Sequence, residues 1–214
     1  MIRGVTVVAA VASFAVVAGL LTITPGLDTA LVLRSAVARG RRYAAATALG
    51  ISTGALVWGA GAAAGVSALI TASHLAYLVL RIAGAIYLAQ LGIRMIWSSF
   101  RRRGAVVAPA TPVPDSARLA WLKGLTTNLL NPKIGAFYVA VLPQFLPPHV
   151  SHLAMGVLLA VVHDAEGLLW FAALIAAASA FRRVLDRPAV HRWTDRITGT
   201  VLVGFAAKLA TSPR

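Results

Sequence analysis

Two short segments, ITPGLDT at residues 23–29 and LNPKI at residues 130–134, decide the predicted fold. Each places a helix-breaking proline and one charged residue inside an otherwise apolar stretch. The two prolines, Pro25 and Pro132, lie 107 positions apart in a chain of 214 residues. Interrupted apolar segments at corresponding positions of two halves are typical of transporters built from inverted repeats, with the binding site at the interruptions. The pattern therefore predicts a duplicated membrane transporter.

The composition is that of a helical membrane protein. Hydrophobic residues make up 59% of the chain, charged residues only 12%, and the mean hydropathy is +0.81. A soluble domain carries about 25% charged residues. Residues 4–27 and 43–80 contain no Asp, Glu, Lys or Arg. The second of these runs is nearly twice the roughly 20 residues that cross a bilayer once, so we expect several spans.

Six spans fit the apolar pattern, at residues 5–38, 44–71, 75–97, 119–146, 151–180 and 194–211. The first is interrupted at Pro25-Gly26 and the fourth at Asn131-Pro132. A polar linker at about 101–118 separates repeat one (about 1–100) from repeat two (about 119–214) within a single transmembrane domain, 1–214. Three spans per half give the halves opposite orientations. The expected fold is thus an all-α polytopic membrane protein with six transmembrane helices in two inverted three-helix repeats, of which helices 1 and 4 are broken at proline.

The basic residues predict the orientation in the membrane. The net charge is +14, and Arg and Lys concentrate in residues 34–42, 94–103, 118–123 and 182–196, between apolar stretches. The positive-inside rule places the 1–2, 3–4 and 5–6 connections in the cytoplasm and both termini outside the plasma membrane. In the alternative topology, the first stretch crosses only partly and the N-terminus lies inside. Nucleic acid is not an expected partner, because no basic face with interleaved aromatic residues is present.

The sequence gives no reason to expect a cofactor, but it does predict close helix contacts. There is no cysteine for a thiolate metal site, and His149 and His152 have no carboxylate near them in sequence. Gly50, Gly54, Gly61 and Gly65 form a small-residue stripe on the second span, which favours close approach of another membrane helix. That helix belongs either to the same monomer or to a second copy in a homodimer. The lipid bilayer is the other expected partner.

The candidate substrate-binding residues lie at the two breaks. A break within a membrane helix leaves backbone groups unpaired, and such breaks persist where they line a cavity or pack on protein. Each half-helix that follows a break presents first-turn amides with a partial positive charge, at residues 26–28 and at residues 133–134. Antiparallel halves would bring both breaks together in a polar chamber near the middle of the membrane. The predicted substrate-binding residues are Thr24, Pro25, Gly26, Asp28, Asn131, Pro132 and Lys133.

The charged residues near the breaks suggest how an amino acid would bind. Asp28 would meet its ammonium group, and Lys133 with the exposed amides would meet its carboxylate. A lone charge at a helix centre costs about 2.5–3.5 kcal/mol. Two structural alternatives would also offset this cost: Asp28 and Lys133 pair with each other, or Asp28 caps its own half-helix.

The fifth span contributes the candidates for ion coupling. His163, Asp164 and Glu166 lie within four positions, and histidine titrates near neutral pH. Together with Asp28, these residues are the predicted proton- or ion-coupling groups. The structural alternative is a buried pair between His163 and Glu166, which are neighbours on a helix and would brace the bundle.

These segments resemble the lysine/homoserine-threonine exporter (LysE/RhtB-type) family along nearly the whole chain. The similar elements, in order, are Thr24–Asp28, Gly84–Leu88 preceded by Arg81, Asn131–Lys133, Leu142–Phe145, and His163 with Trp170. The sequence departs from the family pattern at Leu27, where a second proline is usual, and at Asp164 and Glu166, which make the fifth span more acidic and suit a cationic substrate.

The resemblance implies a six-span exporter of amino acids or related small metabolites, driven by the proton motive force and without a cofactor. The leading hypothesis is therefore a secondary transporter of an amino-acid-like substrate. The alternatives are a non-transporting membrane scaffold or assembly protein and, with less support, a membrane-embedded enzyme, for which no nucleophile–base pair is visible.

Overall fold

The computed structural model describes residues 6–72, 74–101, 116–147, 149–178 and 188–211. These residues form α1 (Val7–Ile23), α2 (Leu27–Ala72), α3 (His74–Arg101), α4 (Ala117–Leu129), α5 (Pro132–Ala136), a π-helix (Phe137–Val141), a 3-10 helix (Leu142–Phe145), α6 (His152–Ala176) and α7 (Pro188–Thr211). No strand occurs in the described part of the chain, so the prediction of an all-α protein is confirmed. Most of the predicted linker, at 102–115, and residues 179–187 of the connection between the fifth and sixth spans lie outside the described residues.

The long helix α2 folds back on itself at Gly40. This glycine has φ 82° and ψ 175°, a left-handed conformation that only glycine adopts without strain. Thr47 on the far side donates a hydrogen bond of 3.4 Å to the hydroxyl of Ser35. Twelve residues of straight α-helix would separate this pair by about 18 Å. A one-residue turn thus divides α2 into a first arm, 27–39, and a second arm, 41–72, where the sequence predicted a short connection between spans.

Both proline segments lie between helices. α1 ends at Ile23 and α2 begins at Leu27, whereas α4 ends at Leu129 and α5 begins at Pro132. Pro132 is the first residue of α5, where a missing N–H costs nothing because that group has no intrahelical acceptor. Asn131 caps α5, since its Oδ1 accepts from the Lys133 amide at 3.1 Å.

The bundle is held together by a few close helix contacts. α2 packs against α4 and α6, α3 packs against α7, and α1 packs against α6. Pairs of glycines let the backbones approach. A Cβ added to Gly50 would overlap the carbonyl of Trp121, and one added to Gly124 would overlap the carbonyl of Thr47. The α2–α6 and α3–α7 contacts use the equivalent pairs Gly59–Gly156 and Gly92–Gly199.

The predicted glycine stripe divides between two environments. Gly50 and Gly54 face α4, because added Cβ atoms would meet Trp121 and Asn128 respectively. No atom lies within 4 Å of a Cβ added to Gly61 or Gly65. The first half of the stripe therefore serves packing within the monomer, and the second half faces outward.

The outer surface is apolar enough for lipid. Leu130, Val8 and Leu169 expose 81%, 78% and 74% of their surface. Two described stretches, Leu27–Gly65 and His152–Ala176, are long and apolar enough to cross a membrane, and Val7–Ile23 is a shorter apolar helix. Because the first stretch turns at Gly40, its second arm is the part that suits a crossing.

The helix contacts can be tested with a matched pair of glycine substitutions. Gly50→Ala places a methyl group against a backbone carbonyl that cannot move aside, and we expect destabilisation by about 1–3 kcal/mol. Gly61→Ala adds the same methyl group in open space, where a change within about 0.5 kcal/mol is expected. Thermal unfolding of the purified variants in detergent measures the difference. Equal unfolding temperatures for the two variants would show that α2 and α4 are not in close contact.

Candidate functional site

A cavity of about 50 Å³ lies where the two proline segments meet. The first segment contributes Thr24, Gly26 and Asp28, and the second contributes Asn131 and Lys133. From α6, the cavity is lined by His163 and Asp164. Seven of the predicted site residues thus share one cavity, although they come from three distant parts of the sequence. Pro25, Pro132 and Glu166 do not line it.

Asp28 is bound by asparagines from the other half of the chain. Its Oδ2 accepts hydrogen bonds from Nδ2 of Asn128 at 3.0 Å and Nδ2 of Asn131 at 3.2 Å. The carboxylate is nearly buried, with 9% of the residue exposed. Both asparagines flank the second break, since Asn128 is in the last turn of α4 and Asn131 caps α5. The first break is therefore tied to the second through one carboxylate.

Lys133 connects the second break to the end of α1 in the first half of the chain. Its Nζ donates to the carbonyls of Leu21 at 2.9 Å and Thr24 at 3.0 Å. These carbonyls lie at the end of α1, where the last-turn oxygens have no intrahelical donor and carry partial negative charge. The ammonium group of the second half thus caps a helix of the first half.

Neither structural alternative for the charged pair is seen as a direct hydrogen bond. Asp28 accepts hydrogen bonds from asparagine side chains rather than from its own half-helix. Lys133 donates to backbone carbonyls rather than to Asp28 in a direct ion pair. The two charges are nonetheless neighbours, because both line the cavity.

The first-turn amides of α5 have acceptors within the second break. In the second break, the Lys133 amide donates to Asn131 Oδ1, and the Ile134 amide donates to the Asn131 carbonyl at 3.1 Å. The expectation that these two amides are free is therefore wrong. Side chains of Thr6, Ser116 and Ser151 cap α1, α4 and α6 in the same way. At the start of α2, the Gly26 carbonyl accepts from the Ala30 amide at 3.0 Å, and Gly26 lines the cavity.

Four buried oxygens around the cavity have no hydrogen-bond partner. Each belongs to a residue that lines the cavity: Thr22 Oγ1, Asp28 Oδ1, Asn128 Oδ1 and Asp164 Oδ2. A buried acceptor without a donor costs about 1–3 kcal/mol. The carboxylate and amide oxygens only accept, and the Thr22 hydroxyl both donates and accepts, so the group that would satisfy most of them is one with several N–H or O–H donors. The arrangement suits an ammonium group or water.

The α6 residues separate into two environments. His163 Nδ1 lies 3.0 Å from the hydroxyl of Tyr138, and Asp164 hydrogen-bonds to Ser52 of α2. Glu166 lies apart, with its carboxylate 3.7 Å from the position of a Cβ added to Gly19 of α1. The structural alternative of a buried His163–Glu166 pair is therefore not seen, because the imidazole contacts Tyr138 and the Glu166 carboxylate lies beside α1.

The site residues predicted from the sequence do not include Asn128, Ser52 or Tyr138, although Asn128 is a polar residue close to the second break. Asn128 precedes Asn131 by three positions, a spacing typical of one helix face, so a polar pair across the break was a usable signal. Ser52 and Tyr138 gave no such signal, because a serine among small residues and a tyrosine in an apolar segment are both ordinary packing residues. In the described part of the chain, no group of three or more His, Asp or Glu residues is arranged to hold a metal ion.

Comparison with known proteins finds similar proteins along nearly the whole chain. The LysE type translocator family model matches residues 4–213. The threonine efflux protein of Escherichia coli K12 is 33% identical over 193 residues, covering 88% of this chain and 91% of that protein. The leucine efflux protein of Klebsiella pneumoniae is 32% identical over 191 residues, 88% and 89% of the two chains. A Bacillus subtilis membrane protein, YrhP, is 27% identical over 201 residues, 92% and 96% of the two chains. No solved structure matches.

This chain belongs to the LysE type translocator family. The resemblance inferred from its motifs is confirmed. It is a transmembrane transporter rather than an enzyme.

Water access to the cavity can be tested by cysteine labelling, because the chain contains no cysteine. Gly26→Cys places a thiol on the cavity wall, where an added Cβ has 3.6 Å to the Lys133 ammonium. Ala18→Cys places one in the fully buried core of α1. With a small charged methanethiosulfonate reagent, we expect Gly26→Cys in membranes to react at least about tenfold faster, since the core excludes water. Equal rates would indicate that the cavity is dry.

Proposed function

We propose that this protein is a secondary transporter that exports an amino acid or a related small metabolite across the cytoplasmic membrane, coupled to proton entry. One observation carries the proposal: the two proline segments enclose a cavity that has a carboxylate, an ammonium group and unpaired acceptors in its wall. Polar groups of this kind are expensive inside a bilayer and are characteristic of transport pathways. The names of the threonine and leucine efflux relatives support an amino-acid substrate.

The ammonium group of the substrate binds at Asp28. Oδ2 is already used by two asparagines, and Oδ1 is free to accept. Asn128 Oδ1, also unpaired, lies on the side chain that holds the carboxylate. An ammonium group has three N–H donors, so it satisfies several of these acceptors at once.

The carboxylate of the substrate binds at the start of α2 and at Lys133. A helix N-terminus provides free amides and partial positive charge, which favour anions. Gly26 lines the cavity at this end, close to the Lys133 ammonium. Half-helix N-termini bind substrate carboxylates in other transporters with broken helices.

Transport requires the site to open to each side of the membrane in turn. The cavity between the breaks has a volume of about 50 Å³, which is enough for a few water molecules. Binding and release therefore require the helices around the breaks to separate. Rocking of one repeat against the other is the usual means in transporters built from inverted repeats.

The helix contacts support a two-fold relation between the halves. The first span packs against the fifth, through α1 and α6, and the fourth packs against the second, through α4 and α2. The third and sixth spans, α3 and α7, pack against each other. A pseudo-two-fold axis that exchanges the repeats generates this reciprocal pattern. We propose six spans in inverted repeats, with basic connections in the cytoplasm and both termini outside, and a homodimer formed through the outward-facing Gly61 and Gly65.

Proton coupling is assigned to the α6 residues at the cavity. His163 and Asp164 line the cavity, so a proton bound there is in contact with the substrate site. Glu166 does not line it, which makes this residue the weakest of the sequence-derived candidates. A proton bound to His163 or Asp164 changes the charge around the substrate, so proton binding and substrate binding affect each other.

Transport by a reconstituted protein tests the binding roles. Liposomes loaded with a mixture of all proteinogenic amino acids would be assayed for efflux by mass spectrometry. Lys133→Ala and Asp28→Asn should each lower the initial rate at least about tenfold, since each removes a charge-assisted contact worth about 1.5–3 kcal/mol. Lys123→Ala is the matched control, because this lysine is exposed on α4 outside the cavity. Wild-type rates in both site variants would refute the assigned roles, and absence of any efflux from the wild type would refute export.

The coupling carboxylate can be identified by a paired substitution. Asp164→Asn and Glu166→Gln each replace a carboxylate of α6 by an amide of the same shape. Because only Asp164 lines the cavity, Asp164→Asn should reduce pH-gradient-driven efflux several-fold more than Glu166→Gln does. The measurement is efflux with and without an imposed pH gradient. The reverse order would place the coupling site near α1, at Gly19, instead of at the cavity.

A further inference from the structure

Tyr138 is a buried polar residue that the transport scheme above does not use. Its side chain is fully buried, and its hydroxyl lies 3.0 Å from Nδ1 of His163. The two rings pack with their centroids 5.7 Å apart, and Phe137 packs on the same imidazole at 5.4 Å. His163 lines the cavity, whereas Tyr138 does not. Tyr138 therefore supports one wall of the site from behind.

The Tyr138 hydroxyl leaves one nitrogen of His163 for exchange with the cavity. A tyrosine hydroxyl is both donor and acceptor. When Nδ1 of the imidazole carries a hydrogen and donates it to the phenol oxygen, Nε2 is the basic nitrogen. Addition of a proton at Nε2 then gives an imidazolium in which the Nδ1–H contact to Tyr138 is unchanged. The bond made by one ring nitrogen thus decides which nitrogen titrates.

The position of Tyr138 links this histidine to the second break. Tyr138 is in the π-helix Phe137–Val141, which follows directly on the five-residue α5 that carries Lys133. The Leu142 amide donates to the Phe137 carbonyl, the i→i+5 bond of a π-helix. Such turns are frequent at functional sites. One short segment therefore carries both a proposed substrate ligand and the hydrogen-bond partner of a proposed proton carrier.

We propose that Tyr138 is the positioning residue of the proton step, holding His163 so that Nε2 exchanges its proton with the cavity. The inference rests on the proton-coupled export proposed above. The other charged groups that share the cavity with His163 are Asp28 from α2, Lys133 from α5 and Asp164 from α6. Glu166, one turn further on α6, lies outside it.

The test is the pH profile of efflux by Tyr138→Phe, which removes the hydroxyl and keeps the ring. Liposomes with the intact protein and the amino-acid mixture would be assayed between about pH 5 and pH 8, the range in which histidine titrates. Bonds to a charged ring are roughly twice as strong as bonds to a neutral one. The pH of half-maximal efflux should therefore move down by about one unit, while the maximal rate and the KM stay within about twofold.

Two further variants separate positioning from packing. Phe137→Leu reduces the packing on the same imidazole but removes no polar contact. It should therefore leave the pH of half-maximal efflux unchanged. His163→Gln should flatten the profile, and adding Tyr138→Phe to it should change the profile no further, because coupled residues are not additive.

The outcomes are distinguishable. A pH-dependent wild type with an unshifted Tyr138→Phe, or an equal shift in Phe137→Leu, would overturn the role of Tyr138 alone. A wild type whose efflux does not respond to pH would overturn proton coupling and this inference together.

Discussion

The structure depends on the exchange of polar contacts between two interrupted helices. Asp28 and Lys133 each carry a charge into an apolar bundle, at a cost of about 2.5–3.5 kcal/mol apiece on insertion scales. Asparagines of the second half bind the carboxylate, and carbonyls at the end of α1 bind the ammonium group. Neither charge is satisfied by its own half. In this conformation the contacts hold the two breaks together, and the cavity lies between them.

Helix packing and site geometry are coupled through Asn128. This side chain is 1% exposed, and Oδ1 lies 2.6 Å from the position of a Cβ added to Gly54. Only a glycine at this point of α2 leaves room for the asparagine that holds Asp28. The close α2–α4 contact is thus part of the site as well as of the bundle. On the α6 side of the cavity, Asp164 Oδ2 has no hydrogen-bond partner and can accept a further hydrogen bond.

Family membership and the cavity contribute different kinds of information. The match over residues 4–213 establishes a translocator. A fold does not specify a substrate, which must be argued from the groups in the site. Here the acceptors, the carboxylate and the ammonium group favour a molecule with both an ammonium group and a carboxylate, and the threonine and leucine efflux relatives are consistent with that chemistry.

The sequence by itself determined the helical class, both proline segments and the ionisable residues of the cavity, because hydropathy, helix breakers and buried charges are properties of short stretches. The sequence could not determine which side chains form hydrogen bonds with each other. Asp28 and Asn128 are 100 positions apart, and Tyr138 and His163 are 25 apart. Which of these side chains meet depends on which helix faces pack. Tertiary structure decided that Asp164 lines the cavity while Glu166 does not, since residues two positions apart project from different sides of a helix and only the packing shows which side meets the breaks. It also decided that Gly54 packs inward and Gly61 outward, because α4 covers only part of α2.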